Sequence, residues 1–343
     1  MYNLKDHNGR ELGFNRSYET ILEFNKIPHC RLNVSDRDFW KKIASLTLFI
    51  MRAINQDSHH LIGRDLLPVV ESHYGINCYP DQKTYWHYDD KVKQFLLMKT
   101  YGFPMTQCFV FYERDKALDW MAGCNLPKVF KLRAGAGSNN VILIRKRREG
   151  YRLINKMFGK GLQENRLLFR GSVRHDHFNI LNELHRIGGN MYRWFSKIDT
   201  DPHWAIHKNY ALFQKFLPNN NCDTRITVIG NRAFGFRRMN REIDFRASGS
   251  GRLDYDVKNI DLRCVEIAHQ VSAQCEFQSM AYDFLCNEDG NPEFCEISYD
   301  YLSEPIYRCP GYWDRRLNWH QGNWRPELLH LQDCLKCPDL KSA

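Results

Sequence analysis

Residues 214–251 read QKFLPNNNCDTRITVIGNRAFGFRRMNREIDFRASGSG. From Thr224 to Ile229 the residues alternate and are rich in β-branched side chains, Gly230-Asn231 is a two-residue turn pair, and Arg232 to Arg238 resumes the strand pattern. That combination predicts a β-hairpin. Strand side chains alternate between faces, so Arg225, Arg237 and Arg238 project from paired strands, with Arg237 on the face opposite Arg238. Guanidinium forks on rigid strands suit phosphate and carboxylate ligands. In isolation the same residues also read as an exposed basic hairpin, and the rest of the chain decides between the two.

The chain has 343 residues, 43% of them hydrophobic and 13% aromatic, enough for two or three packed domains. No apolar run approaches the roughly 20 residues that span a bilayer; the best, residues 46–51, reads as a buried helix or strand flanked by Lys41, Lys42 and Arg52. The first residues, MYNLKDHNGREL, are polar and lack the apolar core of a secretory signal, so a cytoplasmic protein is expected. The 12 cysteines are scattered, and the close pair Cys334 and Cys337 has no second pair or histidines at zinc spacing, so no zinc site is expected there. A formal charge of +9 fits nucleic acid, an anionic membrane surface, or phosphorylated and carboxylated small substrates. No RNA-binding or zinc-finger signature accompanies it, and the RKRR run at 145–148 reads as a solvated turn after a strand, so nucleic acid is not the expected partner.

Residues 1–84 mix a helical pattern over 39–55 with strand-like pieces such as 30–34, predicting a small α/β domain. From Asp89 the pattern sharpens: helix 90–101, a Gly-Phe-Pro turn, strand 107–112, helix 115–123, strand 128–132, a loop over 134–140 and strand 141–144. Such alternation implies a sheet covered by helices. Residues 151–199 are helical, basic and aromatic; their HDHFNILNELHRIGGNMYRWF portion reads either as an amphipathic lid or as a packed helix pair. A strand, turn and strand follow over 282–297, then a Trp-rich run over 313–324 and a last helix.

In chain order, then, a lysine opens a helix (Lys91), a second ends a strand (Lys131), a glycine-rich loop follows (Ala134-Gly135-Ala136-Gly137-Ser138), a strand ends in Gln214-Lys215-Phe216-Leu217, and two acids close the set (Asp283 and Glu296). This order resembles the ATP-grasp superfamily, through DDKVKQFLLMKTYGFPMT, PKVFKLRAGAGSNNV, QKFLPNNNCDTRITVIG, FRRMN, DFRASGSG and YDFLCNEDGNPEFCEIS. The nearest likeness is to the ribosomal-protein glutamate ligases and to ATP-grasp proteins of surface-polysaccharide clusters. The fold implied is α/β (α+β), an ATP-grasp fold with an N-terminal Rossmann-like pre-ATP-grasp domain. Its expected parts are that domain over 1–85, an N-terminal ATP-grasp subdomain with a helical insertion over 86–206, a C-terminal subdomain over 207–305 and a tail over 306–343.

The resemblance also implies roles. Lys91 and Lys131 meet the ATP phosphates, and Gly135, Gly137 and Ser138 let backbone N–H groups approach phosphate with no Cβ in the way. Gln214 and Lys215 lead into Phe216 and Leu217, which flank adenine, although a plain buried strand reads the same; the family often has an acid where Gln214 stands. Asp283 and Glu296 hold Mg²⁺, for which one or two carboxylates plus phosphate oxygens suffice. The family pattern ends Glu-x-Asn, whereas here Ser298 follows Glu296, a shorter ligand for a second metal position, with Asp300 or Glu304 as substitutes. Arg225 and Arg238 clamp the transferring phosphoryl group, and Arg246 and Ser248 lie near the acceptor. The SGSG run reads equally as a phosphate-binding loop and as a surface turn.

The implied activity is that of an ADP-forming carboxylate–amine ligase. A carboxylate is activated as an acyl-phosphate and opened by an amine, the acid being a sugar carboxylate or a peptide. The alternatives are an ATP-grasp kinase and a non-catalytic nucleotide-binding scaffold. Small-molecule, saccharide or peptide substrates are the expected partners, and the oligomeric state is not written in the sequence.

Overall fold

The computed structural model describes residues 1–6, 8–135, 141–163, 205–240 and 251–342. The chain divides into two compact units, the first from Met1–Gln107, Leu217–Asn240 and Ala247–Ala343, the second chiefly from Cys108–Phe216.

The first unit begins with helix α1 (Gly13–Phe24), strand β1 (Leu48–Ile50), helix α2 (Asp57–Pro68) and strand β2 (Asn77–Tyr79). β1 and β2 pair in parallel, with Leu48 opposite Asn77, and α2 makes the crossover between them. The helix expected over 39–55 does not form. A short helix, Phe39–Ile43, precedes β1, because the Leu-Thr-Leu-Phe-Ile run is β-prone, and a short apolar strand cannot be told from a helix segment by periodicity. Helix α3 (Lys91–Thr100) is capped by Asp90, whose carboxylate accepts from Val92 N at 3.2 Å and Lys93 N at 3.0 Å.

The second unit holds β3 (Cys108–Phe111), α4 (Arg114–Gly123), β4 (Lys128–Lys131), β5 (Val141–Ile144), α5 (Arg147–Met157) and β6 (Ala211–Lys215). Among the described residues the strands form an antiparallel sheet in the order β3-β6-β4-β5. Trp120 of α4 packs on Phe109, Phe111 and Phe213 with ring centroids 4.8, 5.1 and 5.1 Å away. Cross-strand partners share a face, so the opposite face carries Cys108, Val129, Lys131, Leu212 and Gln214. The RKRR run is not a free turn: Lys146 caps α5 and Arg147 opens it.

The chain then returns to the first unit. Strands β7 (Cys222–Ile229) and β8 (Arg232–Met239) form the expected hairpin, with Arg232 opposite Ile229. Gly230 turns at φ +58°, a left-handed conformation that side chains rarely adopt, so the backbone calls for glycine. β9 (Leu253–Asp254), α6 (Leu262–Gln274), β10 (Ser279–Cys286), β11 (Pro292–Ser298), β12 (Gly311–Trp313), β13 (Trp319–Gln321) and α7 (Pro326–Leu335) complete it. The described strands make a seven-stranded sheet, order β11-β10-β7-β8-β12-β13 with β9 against β8. One face buries Ile226, Val228, Met280 and Tyr282 in a core with Cys264, Val265, Ala268 and Val271 of α6. The other face bears the charged residues considered next. The Trp-rich run contributes to the β12–β13 hairpin at the sheet's edge. Among the described residues no helix is long and apolar enough to cross a membrane.

Candidate functional site

Strand register builds the site. Asp283 on β10 lies opposite both Arg225 on β7 and Glu296 on β11, so the three form one row across adjacent strands, on the face away from α6. Asp223 and Arg238, opposed on β7 and β8, form the next row on the same face, two residues along. The reading that separates Arg238 from Arg237 holds: Arg237 pairs on the other face with Asp254, at 2.6 Å.

These side chains are tied together. Arg225 donates to Asp283 through Nε at 2.7 Å and Nη2 at 2.8 Å. Arg238 forks Asp223 through Nε at 2.7 Å and Nη2 at 2.6 Å, and the same Nη2 lies 2.6 Å from Asp283 Oδ2. Burial works to raise the Asp283 pKa, yet the Arg225 and Arg238 guanidiniums beside it outweigh burial and hold the carboxyl well below its ordinary range. For Asp223 burial wins over Arg238 and the value rises; for Arg238 the two carboxylates outweigh burial and its charge is reinforced.

Lys91, the first residue of α3, sends Nζ to within 3.1 Å of Glu296 Oε1 and 3.6 Å of Asp89 Oδ1. Asp89 adopts a left-handed φ of +48°, strain that a non-glycine residue accepts only where its surroundings hold it. Ser298 lies two residues beyond Glu296 on the same face of β11, but its hydroxyl is turned to the backbone. Its hydroxyl donates to Asp300 O at 2.8 Å and accepts from Asp300 N at 3.2 Å. The Asp300 carboxylate accepts from Tyr88 Oη at 3.2 Å and lies 3.6 Å from Arg52 Nε, burial raising its pKa against the pull of Arg52.

In the second unit Lys131, at the end of β4, and Gln214 on β6 share the sheet face opposite α4, both buried. Gln214 Nε2 lies 3.5 Å from Cys108 Sγ. Lys215 is on the other face, opposite Lys128, Phe216 is half-buried and Leu217 is buried. Gly135 has φ +116°, a conformation glycine alone adopts readily. Gly137, Ser138, Arg246, Ser248 and the HDHFNILNELHRIGGNMYRWF portion lie outside the described residues.

Sequence reasoning missed Asp223, Asp89 and Arg52. The signal for Asp223 was present, because Asp-Thr-Arg puts Asp223 and Arg225 on one strand face. Nothing local marks Arg52, which sits 275 residues from its buried partner Glu327, 3.2 Å away.

No protein-family model matches the sequence, and no curated protein matches it. Solved structures do. The RimK-domain ATP-grasp protein of Sphaerobacter thermophilus matches with TM-score 0.51 and 12% identity over 88% of this chain and 91% of that one. The chain has the ATP-grasp fold. The same ATP-grasp likeness extends to D-alanyl-alanine synthetase A of Vibrio cholerae, with TM-score 0.51 and 12% identity over 85% of this chain and 76% of that one. The biotin carboxylase domain of Hydrogenobacter thermophilus 2-oxoglutarate carboxylase, solved with MgADP, ADP and bicarbonate, matches with TM-score 0.53 and 12% identity over 94% and 67%.

An ATP-grasp fold implies Mg²⁺ with the nucleotide, and the donors can be tested against it. Glu296, its side chain 32% exposed, is a hard oxygen donor of the kind Mg²⁺ takes. Asp283 and Ser298 already spend their oxygens on guanidinium and backbone partners. Among the described residues no group of three or more His, Cys, Asp or Glu side chains is arranged to hold a metal.

Proposed function

We propose that this protein is an ADP-forming ATP-grasp ligase that joins a carboxylate to an amine. What supports the reading above all is the cluster of Arg225, Arg238 and Lys91 with Asp283 and Glu296 on one face of the seven-stranded sheet, in a chain of this fold. Such a constellation neutralises anions rather than forming covalent bonds, and phosphoryl transfer from ATP to a carboxylate asks for little else. In this reading Lys131, Gly135, Gly137, Ser138, Gln214, Lys215, Phe216 and Leu217 bind the nucleotide, and Lys91 meets its phosphates. Arg225 and Arg238 stabilise charge on the transferring group, and Arg246 and Ser248 meet the acceptor. Mg²⁺, which screens phosphate charge when bound, is held through Glu296. The sequence-derived parts over 1–85, 86–206, 207–305 and 306–343 remain the working division.

The first choice of acid is a sugar carboxylate, with a peptide next, in keeping with the chain's net charge of +9. A cytoplasmic setting is part of the proposal, since the reaction consumes ATP. The test is ADP release from Mg-ATP with a mixture of uronic-acid sugars and amino acids, read together with the intact mass of any product. A new mass equal to acid plus amine less water supports ligation. A phosphoester mass would make the protein a kinase, and no ADP with any pair would leave a nucleotide-binding scaffold.

A further inference from the structure

The carboxylates that the fold offers for metal binding are not equivalent in this chain. Asp283 accepts three charge-assisted hydrogen bonds from two guanidiniums, at 2.6 to 2.8 Å, and its side chain is 10% exposed. Arg238 in turn is forked by Asp223, so Asp223, Arg225, Arg238 and Asp283 form a closed quartet of two positive and two negative charges. A dication reaching Asp283 would have to displace a guanidinium and then stand beside it, and two like charges within a few ångströms in a largely buried setting repel strongly. Ser298 supplies no alternative, because its hydroxyl closes a turn on Asp300. Glu296 differs on each count. It is the more exposed carboxylate of the row, and its cationic neighbour is the single ammonium of Lys91 at 3.1 Å rather than a bidentate fork.

We propose that this chain binds a single divalent cation per nucleotide, through Glu296, and that Asp283 is a positioning residue that anchors Arg225 and Arg238. Those two guanidiniums occupy the Asp283 oxygens that a second cation would need. The inference rests on the nucleotide-binding part of the proposed function and goes beyond it by assigning different tasks to Asp283 and Glu296.

The experiment uses Mn²⁺ as the cation and adenylyl imidodiphosphate as a non-hydrolysable ATP analogue, with the full chain in excess over nucleotide. Electron paramagnetic resonance of free Mn²⁺ counts the ions bound per bound nucleotide, and the expected count is one. Glu296→Gln is expected to weaken Mn²⁺ binding by about tenfold or more, since it removes the charged ligand. Asp283→Asn is expected to leave Mn²⁺ affinity within about twofold while weakening binding of the analogue by about tenfold, because loosened guanidiniums hold phosphate less well. A count of two with the analogue bound, or a loss of Mn²⁺ affinity in Asp283→Asn equal to that in Glu296→Gln, overturns the proposal. The wild-type count decides the matter even if Asp283→Asn fails to fold. Failure of the analogue to bind the wild-type chain overturns the ligase reading itself, and this inference with it, a result distinguishable from a count of two.

Discussion

Arg238→Met removes the guanidinium that joins the two rows of the site. Arg238 is 8% exposed and contacts Asp223 at 2.7 and 2.6 Å and Asp283 at 2.6 Å. Asp283 keeps the Arg225 fork after the change, whereas Asp223, 7% exposed, keeps no guanidinium of its own. Removing one partner of a buried pair costs about 3–5 kcal/mol, mostly for the charge left behind, which in a unit of this size lowers the melting temperature by about 10 °C. Thermal and urea unfolding at pH 7.5 would measure it. The pH dependence gives a second handle. Without Arg238 the folded-state pKa of Asp223, already raised by burial, rises further above its unfolded value. A carboxylate with a raised folded pKa destabilises at neutral pH and recovers as pH falls through that pKa, so the deficit should shrink between pH 7 and pH 5. Adding Asp223→Leu should restore most of the loss at pH 7.5, with a coupling energy of about 2 kcal/mol or more in the double-mutant cycle. A single-variant loss below about 1 kcal/mol, or coupling near zero, would refute the quartet.

Three further outcomes are expected. His87 is buried with neither ring nitrogen hydrogen-bonded among the described residues, and burial lowers its pKa to about 3, so the unfolded chain takes up the proton first and stability is lost as pH falls through the unfolded value of 6.5. Between pH 7.5 and 5.5 this one residue should cost about 1.4 kcal/mol, and urea unfolding of His87→Leu should lack that part of the decline. Gly230→Ala should destabilise by about 1–2 kcal/mol by thermal melting, through the left-handed turn. Lys131→Ala should abolish calorimetric binding of Mg-ATP while the circular dichroism spectrum stays native; unchanged affinity would remove Lys131 from the nucleotide site.

The hairpin of β7 and β8 was legible because it is local. A Gly-Asn pair between two alternating runs fixes both the turn and the register, and register alone puts Arg237 and Arg238 on opposite faces. The same arithmetic predicts that Asp283 and Glu296 share a face, which the pairing of β10 with β11 bears out. What periodicity does not carry is the identity of the third strand. That Asp283 abuts Arg225 follows from β10 lying beside β7, a pairing between residues 58 apart whose cause is the burial of Ile226, Val228, Met280 and Tyr282 under α6. A carboxylate that the ATP-grasp resemblance implies as a metal ligand therefore carries three guanidinium hydrogen bonds in the folded chain, and the charge balance of the site belongs to the sheet rather than to any one motif. The β12–β13 hairpin escaped for the same reason. Its strands are three residues each, Gly311–Trp313 and Trp319–Gln321, too short for alternation to mark, and Trp313 joins them to the sheet by pairing with Ala233 of β8. Charged residues whose partners lie on neighbouring strands acquire their roles at the level of sheet order, which is why sequence pattern found the members of this site and not the bonds among them.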